Sequence, residues 1–393
     1  MSWDFEALRR ALAGEVAPAL VVSLPDLDAN VARFRAVAEA SGKKIRLATK
    51  SVRVPGLVRR ILEQGGAAFS GLMCYSAPEA ALLAGEGHDD LLVAYPPAHA
   101  MDFEAVAILA ERGKLVVSAL DCDAHADAWE SFLHGRSAPK IRICIDVDVS
   151  YRPAGLHLGV RRSPILNLEG VMLLVARLRK SSHLELDGIL AYEAQVAGVG
   201  DRSPTARLMK SMSIPDVRRR RLALAERLRA DGVRIRFFNG GGSGCLQAAA
   251  DDPALTEVGA GSGLLQSHLF DGYRANLSTP AAAIVLRVTR LPARGFATCQ
   301  SGGFIASGAP GPDKAPVVFD PSGWHPLSAE GFGEVQTPLE CKGGRDLRIG
   351  DLVFLRPAKA GEIAERFTEC LLWDGEKICG RLPTYRGLGH AFY

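Results

Sequence analysis

Apolar runs alternate with amphipathic segments through the first two thirds of the chain. From residue 19 to about 275, runs such as "ALVVSL", "KIRLA" and "DLLVAY" are apolar almost throughout. The segments between them, roughly 10 to 15 residues long, carry apolar residues at helical spacing. Apolar strands that alternate with helices are typical of a parallel sheet covered on both faces. About eight such units favour a TIM-type (β/α)8 barrel over an open sheet.

The pattern changes after residue 275. Short alternating runs broken by Gly, Pro and Asp follow, among them "APVVFDPSGW" and "ECLLWDGEKICGRLP". This texture is typical of antiparallel strands, and "WDGEK" predicts a hairpin. We therefore predict a barrel over residues 25–275 and a C-terminal antiparallel β domain over 276–393. Residues 1–24 read as a helix and a strand that we expect to join the β domain.

The amino-acid composition limits the classes of function that we expect for this chain. The chain is 48% hydrophobic, enough for a large core, and its 47 basic and 44 acidic residues give a net charge of +3, too balanced to indicate a nucleic-acid partner. The apolar runs are too short to cross a membrane, and the N-terminus lacks the apolar core of a signal peptide, so we expect a cytoplasmic protein without a membrane partner. The eight cysteines are scattered without a C-x-x-C pair, which favours reduced thiols.

One basic run stands out, from Arg218 to Arg221, followed by leucines at helical spacing. Such a run could contact an anionic ligand or RNA. It could equally be the solvated face of an amphipathic helix, and the helical pattern favours this second interpretation.

Lys50 ends the run "KIRLATK", at the turn that follows an early barrel strand. In TIM barrels the loops after the strands form the active face. An amine flanked by apolar residues there would lose hydration, and a desolvated lysine becomes a nucleophile able to form a Schiff base. A solvated strand-end lysine is the alternative.

The stretch "FFNGGGSGCL" follows a later strand. Its glycines allow backbone N–H groups to converge on an anion, so it predicts a phosphate-binding loop. It does not match the dinucleotide fingerprint, because Cys245 stands where the third glycine should be, and no Walker lysine follows. A second glycine-rich stretch, "TEVGAGSG", comes after the next strand. A plain turn remains the alternative for either loop.

Together these motifs resemble a known family. Lys50 at the first turn, "SAPEAALLAGEG", "LDGILAYE", "GGGSG", "TEVGAGSG" and a trailing β domain occur in the order seen in alanine-racemase-type (fold type III) pyridoxal-phosphate enzymes. Within them the chain is most similar to the D-threonine aldolase and D-serine dehydratase family. The resemblance implies pyridoxal 5'-phosphate as cofactor, a Lys50 aldimine and a homodimer that acts on a small amino acid. It also implies phosphate binding by Gly241, Gly242, Ser243 and Gly244, with Gly261 and Ser262 nearby.

The cofactor's pyridine nitrogen needs a partner as well. Arg152, in "DVDVSYRPAG", and Tyr192, in "LAYEAQ", are the candidates. Either residue could be structural instead, Arg152 in a loop ion pair and Tyr192 in barrel packing.

The chain departs from the family at the metal site. Enzymes of this family usually hold a divalent metal on a His-x-Cys or His-x-Asp pair after a "GD-x-V-x-x-x-P" strand. Here Lys359 and Gly361 occupy those places, and neither can bind a metal. Gln195 likewise stands where histidine is common. Lys359 could replace the metal's charge or be a surface lysine.

A relocated metal site on His325 and Cys341 stays a further alternative, although the two residues lack ligand spacing. We therefore treat a divalent metal as doubtful.

The predicted activity is that of a lyase which cleaves, or dehydrates, a D- or β-hydroxy amino acid, with Lys50, Lys359 and Tyr192 as catalytic residues. Aldol cleavage is preferred because it expels no hydroxide. A racemase or epimerase is the first alternative, with Tyr273 or Tyr385 as its second acid/base. A non-catalytic pyridoxal-phosphate carrier is another, and the missing fingerprint disfavours an oxidoreductase.

Overall fold

The computed structural model describes residues 3–276 and 278–392. Its helices are α1 (Phe5–Ala11), α2 (Leu24–Ser41), α3 (Pro55–Gly65), α4 (Ala77–Gly85), α5 (Ala100–Glu111), α6 (Asp123–Leu133), α7 (Leu168–Lys180), α8 (Ala194–Ala197), α9 (Pro204–Ala230), α10 (Leu246–Ala250), α11 (Ser262–Leu265) and α12 (Ala360–Ile363). Its strands are β1 (Ala19–Ser23), β2 (Lys44–Ala48), β3 (Phe69–Cys74), β4 (Leu91–Val93), β5 (Val116–Leu120), β6 (Ile141–Asp146), β7 (Leu184–Leu190), β8 (Phe237–Gly240), β9 (Glu257–Ala260), β10 (Ala282–Arg290), β11 (Phe296–Gln300), β12 (Val317–Asp320), β13 (Trp324–Pro326), β14 (Gln336–Cys341), β15 (Leu352–Arg356), β16 (Glu369–Trp373) and β17 (Ile378–Pro383).

Strands β2 to β9 form a closed parallel barrel in chain order, and β2 pairs with β9 to close it. The predicted eight-stranded barrel is confirmed. Every residue of β4 and β5 is buried, which is why these strands read as continuous apolar runs. Inside the barrel, side chains from β4 to β8, among them Val117, Leu190 and Phe237, pack into one apolar cluster.

The barrel interior also contains a buried ion cluster that the apolar pattern does not reveal. Arg46 on β2 is fully buried, and its Nε lies 2.6 Å from Glu257 Oε1 and its Nη1 3.1 Å from Asp90 Oδ1. Its guanidinium also lies over the Phe237 ring. Burial works against the charge, but the two carboxylates outweigh it and raise the pKa of Arg46. Because Glu257 begins β9 and Asp90 precedes β4, the cluster lies near the amino ends of the strands.

The other sheet has nine strands. Its path runs β13-β14-β11-β10-β1-β16-β17, and β15 pairs with β10 and β12. All pairs are antiparallel except β1 with β16, so the predicted antiparallel domain is confirmed with β1, from the N-terminus, inside its sheet. Trp3 and Trp373 stack in its core with ring centroids 5.4 Å apart, and Leu8 of α1 packs beside them.

The chain divides into two compact units. One contains residues 1–33, 50–64 and 262–391, and the other contains 34–49, 65–261 and 392–393. Lys50 and Lys359 therefore belong to the first unit, whereas the barrel and its "GGGSG" loop belong to the second. Within the described ranges, no helix combines the length and hydrophobicity that a bilayer crossing requires.

Candidate active site

The predicted cofactor residues follow three neighbouring barrel strands. Gly241 to Gly244 follow β8, Gly261 follows β9, and Lys50 comes two residues after β2. The register aligns Leu47 of β2 with Ala260 of β9, so β2 and β9 end at the same edge. Carboxyl ends of barrel strands are where TIM-barrel active sites form.

Lys50 lies in a 3-10 turn, Thr49–Ser51, and is exposed. The prediction that Lys50 is desolvated is therefore wrong for the chain alone. The residues around Lys50 leave it exposed to solvent. Its backbone is held firmly, since the Lys50 carbonyl accepts a hydrogen bond from Arg53 Nε at 3.1 Å.

Gly241 anchors the "GGGSG" loop. Its φ of +76° lies in the left-handed region, and a Cβ there would lie 2.5 Å from the Ala249 Cβ. The Gly241 N–H donates to Glu193 Oε2 at 2.9 Å. This amide is therefore engaged by the protein itself, which weakens its predicted role as a phosphate donor.

Gly242 and Ser243 are placed differently. Gly242 is half-buried, a Cβ on it would lie 2.9 Å from the Ala197 Cβ, and its N–H donates to no group in the described part of the chain. Ser243 Oγ accepts the Gly261 N–H at 3.2 Å, so the two glycine-rich loops are in contact. Gly244 completes the 3-10 turn Ser243–Cys245, and Ser262 begins α11 directly after Gly261.

A buried ion cluster supports this loop. Arg221 on α9 is 2% exposed, forms an ion pair with Glu193, and lies 2.9 Å from Asp252 Oδ2. Burial opposes the charge, but the two carboxylates prevail and raise the pKa of Arg221. Glu193 thus connects Arg221 to the Gly241 amide. Motif reasoning missed this role, although Glu193 lies in the quoted "LAYEAQ".

The basic run on α9 is not a solvated face, and it is not an open anion site either. Arg220 donates to the carbonyl oxygens of Ser150 and Asp148, and Arg218 donates to that of Ala248. Only Arg219 is largely exposed, so the predicted solvated face is wrong for the other three arginines. The signal was in the spacing, because Arg221 falls on the helix face formed by the buried Val217, Leu224 and Leu228.

Tyr192 lies beside the "GGGSG" loop. Its ring packs with Val196, Ala197 and Cys245, and one ring carbon lies 3.5 Å from the position a Gly242 Cβ would take. The Arg162 guanidinium lies 5.9 Å from the Tyr192 ring centroid, and sequence reasoning missed this cation too. Of the two predicted pyridine partners, Tyr192 is the one in contact with the loop.

Arg152 forms an ion pair with Asp148, and the distance from Nη2 to Oδ2 is 2.8 Å. This is the loop ion pair that is the structural alternative to a pyridine-binding role for Arg152. The pyridine role of Arg152 stays a prediction.

Lys359 and Gly361 are packed into structural contacts. Lys359 Nζ lies 2.7 Å from the Ser307 carbonyl oxygen and 2.8 Å from Ser307 Oγ, and Glu362 holds the same serine. A Cβ on Gly361 would lie 2.0 Å from the Lys50 carbonyl oxygen. A metal-binding side chain at position 361 would therefore overlap the Lys50 backbone. The catalytic role of Lys359 stays a prediction.

Two further alternatives from the sequence can be compared with the structure. The register pairs Trp324 with Cys341, which places His325 on the opposite face of the sheet and disfavours a metal site on His325 and Cys341. Tyr385 is fully buried, which disfavours it as an acid/base for a neighbouring subunit.

Gln195 is buried, and its Nε2 donates to the Val149 carbonyl and to Ser213 Oγ, both at 2.9 Å. At the position where the family resemblance predicts histidine, this chain therefore has a buried amide that connects α8 to two other segments.

A group of polar side chains after β5 and β6 was also missed. Asp121, Cys122 and His125 cluster after β5. Asp146 ends β6, and burial, followed by the neighbouring Asp121 carboxylate, raises its pKa to about 7. Burial raises the pKa of Asp121 as well, although His125 opposes that shift.

The comparison with protein families agrees with this arrangement. Residues 22–267, more than half of the chain, match the family "Alanine racemase, N-terminal domain". The chain belongs to this family, whose members are pyridoxal-phosphate enzymes of fold type III that act on small amino acids. The predicted family is confirmed.

Solved structures support the same fold. A D-threonine aldolase from Filomicrobium marinum matches with a TM-score of 0.81 and 18% identity over 96% of both chains. A D-threo-3-hydroxyaspartate dehydratase from Delftia sp. HT23 matches with a TM-score of 0.78 and 20% identity over 95% of this chain and 98% of that one. An alanine racemase from Clostridium difficile 630, in complex with cycloserine, gives 0.69 and 15% over 93% and 98%. No match is found among curated protein sequences.

Proposed function

We propose that the protein is a pyridoxal-phosphate-dependent lyase that cleaves, or dehydrates, a D- or β-hydroxy amino acid, with Lys50 holding the cofactor. The observation that carries this proposal is the joined pair of glycine-rich loops after β8 and β9, linked by Ser243 Oγ and the Gly261 N–H at 3.2 Å. Backbone amides on such loops bind phosphate without side-chain obstruction.

The residues present fit the cofactor's phosphate. Among residues 3–276 and 278–392, the Gly242 N–H has no hydrogen-bond acceptor, and Gly242 has no side chain to fill the space beside Ala197. Gly242, Ser243 and Gly244 would bind the phosphate, while Gly241, engaged by Glu193, holds the loop in position. Pyridoxal phosphate, when bound, supplies an electron sink for negative charge at the substrate Cα.

The chain's own groups have distinct tasks in this proposal. Lys50, an exposed residue, would react through Nζ with the cofactor's aldehyde and would later take or return a proton at the substrate Cα. Tyr192, packed beside Gly242, would orient the cofactor ring. Lys359 would place its positive charge near the substrate's β-hydroxyl only if it exchanged its hydrogen bonds to Ser307.

A lyase is preferred to a racemase for two reasons. The aldolase and dehydratase structures match with higher TM-scores than the alanine racemase structure. Racemisation also needs a second acid/base on the opposite face, and the buried Tyr385 does not suit that role, which leaves Tyr273. A homodimer, as in the family resemblance, is part of the proposal.

A substrate panel tests the reaction. The cofactor-loaded protein is incubated with D- and L-threonine, D- and L-serine and both D-3-hydroxyaspartate diastereomers, with D- and L-alanine as controls that lack the hydroxyl. We expect an aldehyde plus glycine from a D-β-hydroxy substrate, or a 2-oxo acid plus ammonia if dehydration prevails. Inverted alanine without either product would indicate a racemase, and bound cofactor without any product would indicate a carrier.

A further inference from the structure

Three side chains with metal-binding atoms converge at the carboxyl end of β5. Carboxylate, thiol and imidazole donor atoms of Asp121, Cys122 and His125 all lie within 4.8 Å of one another. Asp121 is buried, and the other two are half-buried. We propose that these residues bind one divalent cation of the zinc class.

The local fold aligns the three donors. Asp121 is the first residue after β5, and Cys122 is the N-cap of α6 without a side-chain hydrogen bond to the helix. His125 lies four residues after Asp121 and one turn into α6, so the two side chains lie on the same side of the helix start. A short strand-to-helix turn therefore supplies three ligands without rearranging the backbone.

His125 Nδ1 lies close to a second donor atom of the cluster. This nitrogen is 3.0 Å from Asp121 Oδ1 and 3.4 Å from the Asp121 backbone nitrogen. Nδ1 has one lone pair when it carries no proton, so it either accepts the Asp121 backbone N–H or binds a metal ion. A metal ion at Nδ1 would replace that backbone contact and would be bound by Nδ1 and Asp121 Oδ1 together. A proton on Nδ1 would instead form a hydrogen bond to Asp121 Oδ1, and metal titration distinguishes the two states.

The types of ligand atom in the cluster determine which metal ions it prefers. A thiolate and an imidazole favour zinc and similar ions over magnesium and calcium, which prefer oxygen ligands. Three protein ligands leave a fourth position for water or substrate, as in catalytic zinc sites. The site lies on the barrel, away in sequence from Lys359 and Gly361, and the proposal does not depend on the proposed reaction.

Metal titration tests the site. The full-length protein is treated with chelator, desalted, and titrated with Zn²⁺ by calorimetry and with Co²⁺ by visible absorption. We expect one equivalent of Zn²⁺ per chain, and cobalt d–d bands of four-coordinate geometry with a thiolate charge-transfer band. Cys122→Ser and His125→Ala should each weaken Zn²⁺ binding by at least about tenfold, and Cys122→Ser should remove the thiolate band.

Matched controls keep the test specific. Cys379→Ser removes an exposed thiol elsewhere, and His134→Ala removes an exposed imidazole at the end of the same helix. Both controls should bind Zn²⁺ like the unmodified protein. The proposal is overturned if the unmodified protein binds no stoichiometric Zn²⁺, or if Cys122→Ser and His125→Ala, with unchanged circular dichroism, bind it as tightly as the controls. Because the readout is metal content, the result is independent of whether any substrate is turned over.

Discussion

The family resemblance predicts that two segments of the chain belong to the active site. The residues of these two segments make different kinds of contact. In the loop after β8, side chains are absent from Gly241 and Gly242, and the buried pair Glu193 and Arg221 supports the backbone from behind. In the segment after β15, Lys359 is bound to Ser307, and Gly361 packs against the Lys50 carbonyl. The loop after β8 offers backbone N–H groups, whereas Lys359 and Gly361, after β15, contact other parts of the protein.

The two segments correspond to two separate tasks, which are to hold the cofactor and to determine the reaction. Holding the cofactor needs a rigid glycine-rich loop, and the barrel retains one. Choosing the reaction needs a group at the substrate's β-carbon, and the family resemblance predicts that Lys359 and Gly361 stand at the positions of the usual ligand pair. We therefore expect cofactor binding to follow the family and the reaction to be the more divergent property.

The largest expected effect comes from Glu193→Gln on the barrel side. The substitution removes the Glu193 charge from the buried Arg221, which keeps the carboxylate of Asp252 and the Ala191 carbonyl as partners, and it weakens the acceptor of the Gly241 N–H. Loss of one partner in a buried ion pair typically costs about 3–5 kcal/mol in the free energy of unfolding. Chemical denaturation measures the cost. Glu185→Gln, a half-exposed control on β7, should cost less than about 1 kcal/mol, and an equal cost for both would contradict the bracing role.

Asp90→Asn tests the ion cluster at the other end of the barrel. Burial would raise the pKa of Asp90, but Arg46 and Arg236 outweigh it and lower the pKa. An acid whose pKa is lowered on folding stabilises the protein above its unfolded pKa, near 4, and loses this contribution as the pH falls through the folded value. The variant should be less stable by about 1.5–3 kcal/mol at pH 7. Unfolding at several pH values should show this gap narrowing below pH 4, and a gap that does not change with pH would refute the assignment.

Gly242→Ala tests the phosphate loop directly. The new methyl group would lie 2.9 Å from the Ala197 Cβ, so the loop must shift. We expect affinity for pyridoxal phosphate to fall about tenfold, or about 1.4 kcal/mol. Affinity for pyridoxal, which lacks the phosphate, should change little. Gly85→Ala, in open space at the end of α4, is the control, and equal losses for both cofactor forms would place the phosphate elsewhere.

Lys359→Met should give the smallest change in stability. Its ammonium is partly exposed, and its bonds to Ser307 and Glu362 are surface contacts worth less than about 1 kcal/mol. Lys342→Met removes an exposed lysine paired with Glu340 and serves as the control. If kcat for the proposed lyase reaction falls in the Lys359 variant but not in the Lys342 control, and cofactor binding is unchanged, the segment after β15 has a catalytic role. Equal kcat values would leave it structural.

The barrel was predictable because several of its strands are buried on both faces. Strands such as β4 and β5 read as apolar runs, and "WDGEK" correctly marks the hairpin between β16 and β17. What the pattern could not reveal was polar pairing between distant positions. Arg46 lies within an apolar run, and its partners Asp90, just before β4, and Glu257, at the start of β9, come from positions that only the closed barrel brings together.

The candidate site was predictable only in part for the same reason. The glycine-rich loops and Lys50 carry local sequence signals. The bracing role of Glu193 and Arg221 depends on a contact across 28 residues, and the packing of Gly361 on Lys50 depends on one across more than 300. Arg221 carried a weak signal, because helical spacing places it on the buried face of α9.

The most direct test of the central claim is to identify the lysine that holds the cofactor. The protein is loaded with pyridoxal phosphate, reduced with borohydride, digested and analysed by mass spectrometry. We expect one phosphopyridoxyl group per chain on the peptide that contains Lys50, absent from Lys50→Ala and present in Lys44→Ala, which removes an exposed lysine at the start of the preceding strand β2. A stable modification on a different lysine, or none at all, would contradict the account.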